Sequence, residues 1–345
     1  MNSTAKHVLL GLLPTTVLIL PLTAQTTLQG LGTAVANVHV TDMSADGSAV
    51  VGTDGTDLYL WTTANPSFTL VANVAAWDAD VSNGGAYISA TLPDPSNSNY
   101  DTPARWTAST GTWEFLGSLG GLSGNSIGSA YDMSADGAVV VGLGWVGMST
   151  AHAFRWDASS GLMTDLGTLG GFPSSSRADG VSADGSTVVG FDSDVVTGTW
   201  RSAVWTSAGE VLTGCLNPAY PIDGPSQGYA ASSNGTYVVG ESNTGIYTPS
   251  NWDEMHAFRW DAANGLVDLG TTDVDPWGWG THNTIPCGVS DDGRTVVGIA
   301  GAGFFGQQPF IARQGSPTTF LQTYLVALGV TQASAWYFAD IVGLS

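Results

Sequence analysis

The chain has 345 residues, 43% apolar and 10% aromatic, with 46 glycines and only 11% charged side chains. That composition excludes a disordered chain, which would be poor in aromatics and rich in charge. The 29 acidic residues against 8 basic ones give a net charge of −21, which makes nucleic acid and anionic membranes poor partners for such a surface.

In chain order, "MNSTAKH" supplies the one lysine, Lys6, and the apolar run "VLLGLLPTTVLIL" follows, broken by Pro14 and ended by "PLTA". Residues 1–24 read as a signal peptide, because two prolines interrupt a run too short to cross a bilayer as a helix. Residues 25–345 are then a single exported domain, secreted or periplasmic, with no membrane insertion after cleavage. Only 4 of the acids are Glu, and a surplus of Asp favours turns over helices. Cys215 and Cys287 are the two cysteines; whether they pair is left open, and a single pair is no framework.

Six copies of one pattern follow: "MSADGSAVVG" at 43–52, "VSNGGAYISA" at 81–90, "MSADGAVVVG" at 133–142, "VSADGSTVVG" at 181–190, "ASSNGTYVVG" at 231–240 and "VSDDGRTVVG" at 289–298. The motif serines are 38 to 58 residues apart, the span of one four-stranded propeller blade. In each copy, Asp-Gly or Asn-Gly before a Val run predicts strand A, a two-residue hairpin turn and a doubly covered strand B. Strand C alternates, with His152, Phe154 and Trp156 on one face and Ala151, Ala153 and Arg155 on the other. Trp61, Trp106, Trp156, Trp205 and Trp260 recur at its end and are expected in the core. "LMTDLG" is strand D, lying outermost.

The expected architecture is an all-β propeller of six blades, or seven if the termini combine. "TLQGLG", from Thr27 to Gly32, resembles a lone strand D that would close the last blade, although "TTFL", from Thr318 to Leu321, competes for that slot. "WYFADIVGLS" reads as another strand A that stops where Asp-Gly should follow.

The phrases "AHAFRWDASSGLMTDLGTLGG" at 151–171 and "MHAFRWDAANGLVDLG" at 255–270, together with the Ser-x-Asp-Gly copies, resemble the HAF family of extracellular bacterial repeat proteins. The likeness covers nearly all of residues 25–345. It implies the propeller and an extracellular setting, but no activity. Blade 2 departs from the pattern, with Gly84 in place of Asp and Ala90 in place of the final Gly.

Strand alternation places the B–C and D–A loops on one end of the propeller, and those loops vary most in length and content, as binding loops on a rigid scaffold do. They carry Trp145, Trp200, Trp252, Asp253, Trp277, Trp279 and His282, rings beside acids that suit a carbohydrate or other cell-surface polymer. Asp192 and Asp194, like Asp273 and Asp275, have the alternate-acid spacing of some Ca²⁺ loops but not the full pattern; no other cofactor is indicated. The turn acids Asp46, Asp136, Asp184 and Asp292 read as turn formers, and Arg105, Arg155 and Arg259 as ion partners of nearby turn acids. No nucleophile elbow, zinc motif or phosphate loop is present. The reading is therefore a non-catalytic binding module, with a secreted glycoside hydrolase or lyase using loop-face carboxylates, or a structural envelope protein, as alternatives.

Overall fold

The computed structural model describes residues 7–12, 16–21, 29–31, 37–247, 253–272, 283–301, 308–330, 333 and 340–344. The chain is an all-β propeller. Blade 1 comprises His39–Met43, Ala49–Thr53, Leu58–Thr62 and Thr69–Ala72, and blade 2 Asp80–Val81, Tyr87–Asp94, Tyr100–Thr107 and Thr112–Phe115. Blade 3 is Gly128–Met133, Val139–Trp145, Ala151–Asp157 and Leu162–Gly167; blade 4 is Ser176–Val181, Val188–Ser193, Trp200–Thr206 and Gly209–Leu212. Blade 5 is Ser226–Ala231, Val238–Tyr247, Asp253–Asp261 and Gly265–Asp268; blade 6 is Thr284–Val289, Thr295–Ala300, Gln308–Arg313 and Thr319–Phe320. Each set is an antiparallel sheet in the order A–B–C–D from the channel outward.

Thr319–Phe320 takes the strand D slot of blade 6, so that blade is complete without the N-terminus. A seventh sheet stands between blades 6 and 1, with Asp340–Leu344 innermost, then His7–Leu12, Thr16–Pro21 and Gln29–Gly30. Within "TLQGLG", Gln29–Gly30 is thus the outermost strand of this seventh sheet and not of blade 6. A helix that the strand pattern gave no sign of, Leu321–Ala327, buries Leu321 and Leu325 against Ile311 of blade 6 and Ile341 of the seventh sheet.

The Ser-x-Asp-Gly segment is a wider turn than a two-residue hairpin. Only its glycine has positive φ (68° at Gly47 and Gly137, 72° at Gly185), while the preceding Asp does not. The Asp instead closes the turn with its carboxylate: Asp136 accepts from Ser134 Oγ at 2.7 Å and from the Ala138 N–H at 2.9 Å, and Ser134 Oγ accepts from the Val139 N–H at 2.9 Å. Asx-type closure of this kind satisfies backbone donors without requiring a left-handed Asp. Blade 2, lacking the acid, turns instead through two left-handed glycines, Gly84 and Gly85.

Strand B alternation divides the core between neighbouring interfaces. Val140 packs with Phe154 and Trp156 against Leu116 of the segment that follows blade 2, whereas Val139, Val141 and Ala153 pack against Ala178, Val188 and Trp205 of blade 4. Trp61, Trp156 and Trp205 are buried, and Trp106 and Trp260 are partly buried, each against its own core cluster. Phe154, Phe258 and Phe310 are fully buried, each contributing roughly 1.5–3 kcal/mol by apolar transfer. The last Gly of the motif sits opposite a bulge in strand A: a Cβ on Gly142 would overlap the carbonyl oxygen of Ser129, and one on Gly190 that of Arg177. Ala90 is tolerated in blade 2 because strand A there begins only at Asp80, leaving no ladder partner opposite residue 90.

Candidate functional site

The A–B turns line one end of the channel and are joined from blade to blade: the Asn83 N–H donates to Ala135 O (2.8 Å) and the Ala135 N–H to Ala183 O (3.0 Å). Arg105 and Arg259 reach into the next blade's turn, donating to Gly137 O at 2.6 Å and Gly293 O at 2.7 Å, and Arg155 donates to Gly185 O. The expected pairing with nearby turn acids holds at Arg155, 3.5 Å from Asp157 at the head of its own C–D turn; the A–B turn carboxylates are held by their own backbone and serines, and there the arginines take the turn carbonyl instead. Arg105 also binds Glu114 in strand D.

The other end carries the B–C and D–A loops and has a different surface. Most of the large apolar side chains left exposed lie there, including Trp77, Met148, Phe172, Val196, Trp200 and Tyr220; the rest, such as Leu162 and Val211, lie on outer strands or the helix. Among the described residues the A–B and C–D turns themselves expose no such side chain, although Leu162 stands directly after one C–D turn.

Trp200 opens strand C of blade 4, is 50% exposed and stacks on Phe191 at 4.5 Å with 13° between the rings. Phe191 covers one ring face, and the Arg177 guanidinium lies 6.0 Å from the Trp200 centroid. Arg177 lies over Phe191 at 5.0 Å and over Tyr131 at 5.3 Å, so the aromatic group is fixed by cation–π contacts. Trp145 is not a loop ring: it is the last residue of strand B in blade 3 and is half-buried. Asp253 opens strand C of blade 5. Trp252, Trp277, Trp279, His282, Asp273 and Asp275 lie outside the described residues.

Asp192 and Asp194 do not form an open oxygen cage. Asp192 is fully buried, accepts from the Leu169 N–H at 2.6 Å and meets Arg201 at 3.2 Å. Asp194 Oδ1 accepts from the Val196 and Thr197 N–H groups at 3.0 and 2.8 Å, closing its own turn. Arg201 also approaches Asp194 at 3.4 Å and Asp223 at 3.3 Å. Alternate acids in a strand take opposite roles here, one buried under an arginine and one capping a loop, and that is why their spacing does not make a Ca²⁺ loop. Among the described residues no group of three His, Cys, Asp or Glu is placed to hold a metal. The pair does something else: through Arg201 it ties together the loops at 168–175, 194–199 and 213–225.

The sequence reading missed a second acidic group, in the channel. Asp42, Asp80 and Asp132, each two residues before a motif serine, line the inner strands of blades 1 to 3 beside a cavity of about 120 Å³ lined in part by Asp42 and Asp132. Burial pushes Asp42 up to about 7 and Asp132 up to about 8, and the negative charge of Asp42 adds to the rise at Asp132. Asp80 is raised well above the carboxylate range by burial and then by the charges of Asp42 and Asp132. Asp42 and Asp132 accept the N–H groups of Val81 and Val181 at 2.9 and 2.7 Å, tying each inner strand to the next. The recurrence of Asp at this position in the first three copies was the available signal.

The repeated "HAF" histidines have partners within their own blades: His152 Nδ1 meets Asp165 at 2.9 Å, and His256 Nδ1 meets Asp268 at 2.8 Å. Both acids lie in the strand D sequence "DLG". Cys215 is a buried free thiol, so the Cys215–Cys287 bond is not formed.

No protein-family model matches the chain, and no curated protein matches it. Solved structures similar in fold include TolB from Acinetobacter baumannii, 12% identical over 86% of this chain and 73% of that one, with a TM-score of 0.47. A puromycin-hydrolyzing peptidase of Mycobacterium tuberculosis is 14% identical over 87% of this chain and 48% of that one, TM-score 0.49. The β-propeller domain of Myceliophteria thermophila Cps50 (Swd1) is 12% identical over 77% of this chain and 87% of that one, TM-score 0.45. Likeness at this level says nothing of what this chain binds; the propeller itself is read from its own strand pairing.

Proposed function

We propose that the protein is an exported, non-catalytic binding module of the HAF-repeat kind whose recognition surface is the B–C/D–A loop end. The observation that carries this is the division of the surface: exposed large apolar side chains gather on the loop end, while the turn end is closed by hydrogen bonds running from blade to blade. Exposed apolar clusters of this kind mark interaction sites on soluble proteins. The test is a ligand screen against soluble polysaccharides and peptides, read by hydrogen exchange. Protection confined to the 168–175, 194–199 and 213–225 loops is expected; protection of the A–B turns instead would overturn the reading.

A carbohydrate is the second reading, favoured by the half-exposed ring of Trp200, on which a sugar's CH face would stack. Trp200→Ala would then abolish oligosaccharide binding without moving the melting temperature. Export rests on the leader character of residues 1–24, and no helix among the described residues is long and apolar enough to cross a membrane. The strands His7–Leu12 and Thr16–Pro21 would leave with that leader. N-terminal sequencing of the protein from culture decides it: a start near Gln25 is expected, and a retained His7 would mean that both strands stay in the seventh sheet.

A further inference from the structure

Three loops over blades 3 to 5 present a preorganised apolar surface. Leu169 and Phe172 come from the first, Val195 and Val196 from the second, and Trp200 stands at the second loop's end; Phe172 is 76% and Val196 87% exposed. A Cβ built on Gly170 would stand 3.2 Å from Val195 Cβ, so the first two loops are in contact. One buried ion pair holds all three: Asp192 accepts the Leu169 N–H, and Arg201 binds Asp192, Asp194 and Asp223. Holding a surface in its bound shape lowers the ordering cost of association.

The charge of the surface defines its partner. The segments 168–175, 194–199 and 213–225 contain two acids, Asp194 and Asp223, and no Lys or Arg. Arg201 lies beneath them with its side chain only 10% exposed, while that of Asp223 is 67% exposed. The exposed charge of the rim is therefore the Asp223 carboxylate, on a chain of net charge −21, and the Trp200 ring already has the Arg177 guanidinium 6.0 Å from its centroid, an environment that suits cations. Leu169, Val195 and Val196 offer no hydrogen-bond partner to sugar hydroxyls, and Asp194 Oδ1 is already taken by its own turn. Apolar side chains from another polypeptide would bury these aliphatics, and Lys or Arg beside them would meet the acidic rim.

We propose that this three-loop surface docks a cationic, apolar polypeptide segment of a partner protein. The assignment rests on the loop-end reading above and narrows it.

The test uses the full chain and three fluorescein-labelled twelve-residue peptides read by anisotropy: one alternating Lys with Leu and Trp, its Glu-for-Lys analogue, and its Ser-for-Leu/Trp analogue. The first should bind at least about tenfold more tightly than either analogue, and the neutral polar change Val196→Asn should weaken it by about tenfold. Val211→Asn, at an exposed apolar position (51%) on strand D of the same blade, should leave it unchanged; matching melting temperatures establish that both variants fold. Equal binding of the Ser analogue would mean attraction of charge alone and would overturn the proposal, as would equal binding of the Glu analogue or indifference to Val196→Asn. Should the peptides fail while a soluble oligosaccharide binds and is lost in Trp200→Ala, the peptide assignment falls and the loop-end reading stands. Should neither class of ligand respond to changes at Val196 or Trp200, both fall.

Discussion

Arg105 leaves strand C of blade 2 and donates to the carbonyl of Gly137 in the A–B turn of blade 3 at 2.6 Å, with its guanidinium 4.6 Å from the Tyr87 ring and 4.7 Å from the Trp156 ring. Arg259 repeats the arrangement with Gly293 and Tyr237. Replacing Arg105 with Ala removes a charged hydrogen bond and a cation–π sandwich at once. We expect a loss of about 2–4 kcal/mol in urea unfolding, with Arg105→Lys recovering less than half because an ammonium cannot lie flat between two rings. An Arg105→Ala loss below about 0.5 kcal/mol would show that the blades are held by apolar packing alone.

The final Gly of the repeat is a steric requirement, and blade 2 tests it internally. Gly190→Ala should cost about 1–3 kcal/mol, since the new methyl meets the Arg177 carbonyl and the bulge must shift. Ala90→Gly involves no such clash and should cost about 1–2 kcal/mol, from one buried methyl and the backbone freedom of a glycine. Thermal melts check both; a Gly190→Ala protein as stable as the parent would remove the bulge explanation.

Ser134 supports its turn from within, accepting the buried Val139 N–H and donating to Asp136. Ser134→Ala leaves that N–H without its partner and should cost about 1–3 kcal/mol. Ser159, which makes an analogous bond to Asp157 on the exposed C–D turn, should cost less than about 0.5 kcal/mol when changed to Ala. Denaturant midpoints for the pair distinguish a buried donor from an exposed one.

The channel acids set an unusual pH dependence. A carboxyl raised on folding binds its proton more tightly in the native state, so its contribution is full below the unfolded value near 4 and is lost as pH rises through the folded value. With Asp42 at about 7 and Asp132 at about 8, stability should increase as pH falls from 8.5 to about 5. The turn acids act oppositely: Asp54, held at about 2 by the Asp57 and Thr56 N–H groups and the Thr56 hydroxyl, favours the fold above pH 4. The melting temperature should therefore peak near pH 5, and Asp132→Asn should raise it at pH 8.5 while flattening the slope. A melting temperature that climbs steadily from pH 5 to 8.5 would contradict the channel assignment.

What was legible in the residues, and what was not, follows one physical division. Turn geometry and strand alternation are local, so six copies of the turn motif, four of them Ser-x-Asp-Gly, the Val runs and the recurring Trp61, Trp156 and Trp205 were enough for the blades, their strand order and their core. The His152–Asp165 pair lies within one repeated phrase, yet alternation alone did not bring its two strands into register. The partner of Arg105 lies 32 residues away in another blade, the Asp192–Arg201 hub joins three loops, and Asp42, Asp80 and Asp132 meet only because their strands converge on one axis. Residue spacing records neighbours along a chain. Which charges are desolvated together, and which apolar loops face water side by side, is decided only when the ring brings distant segments into one place.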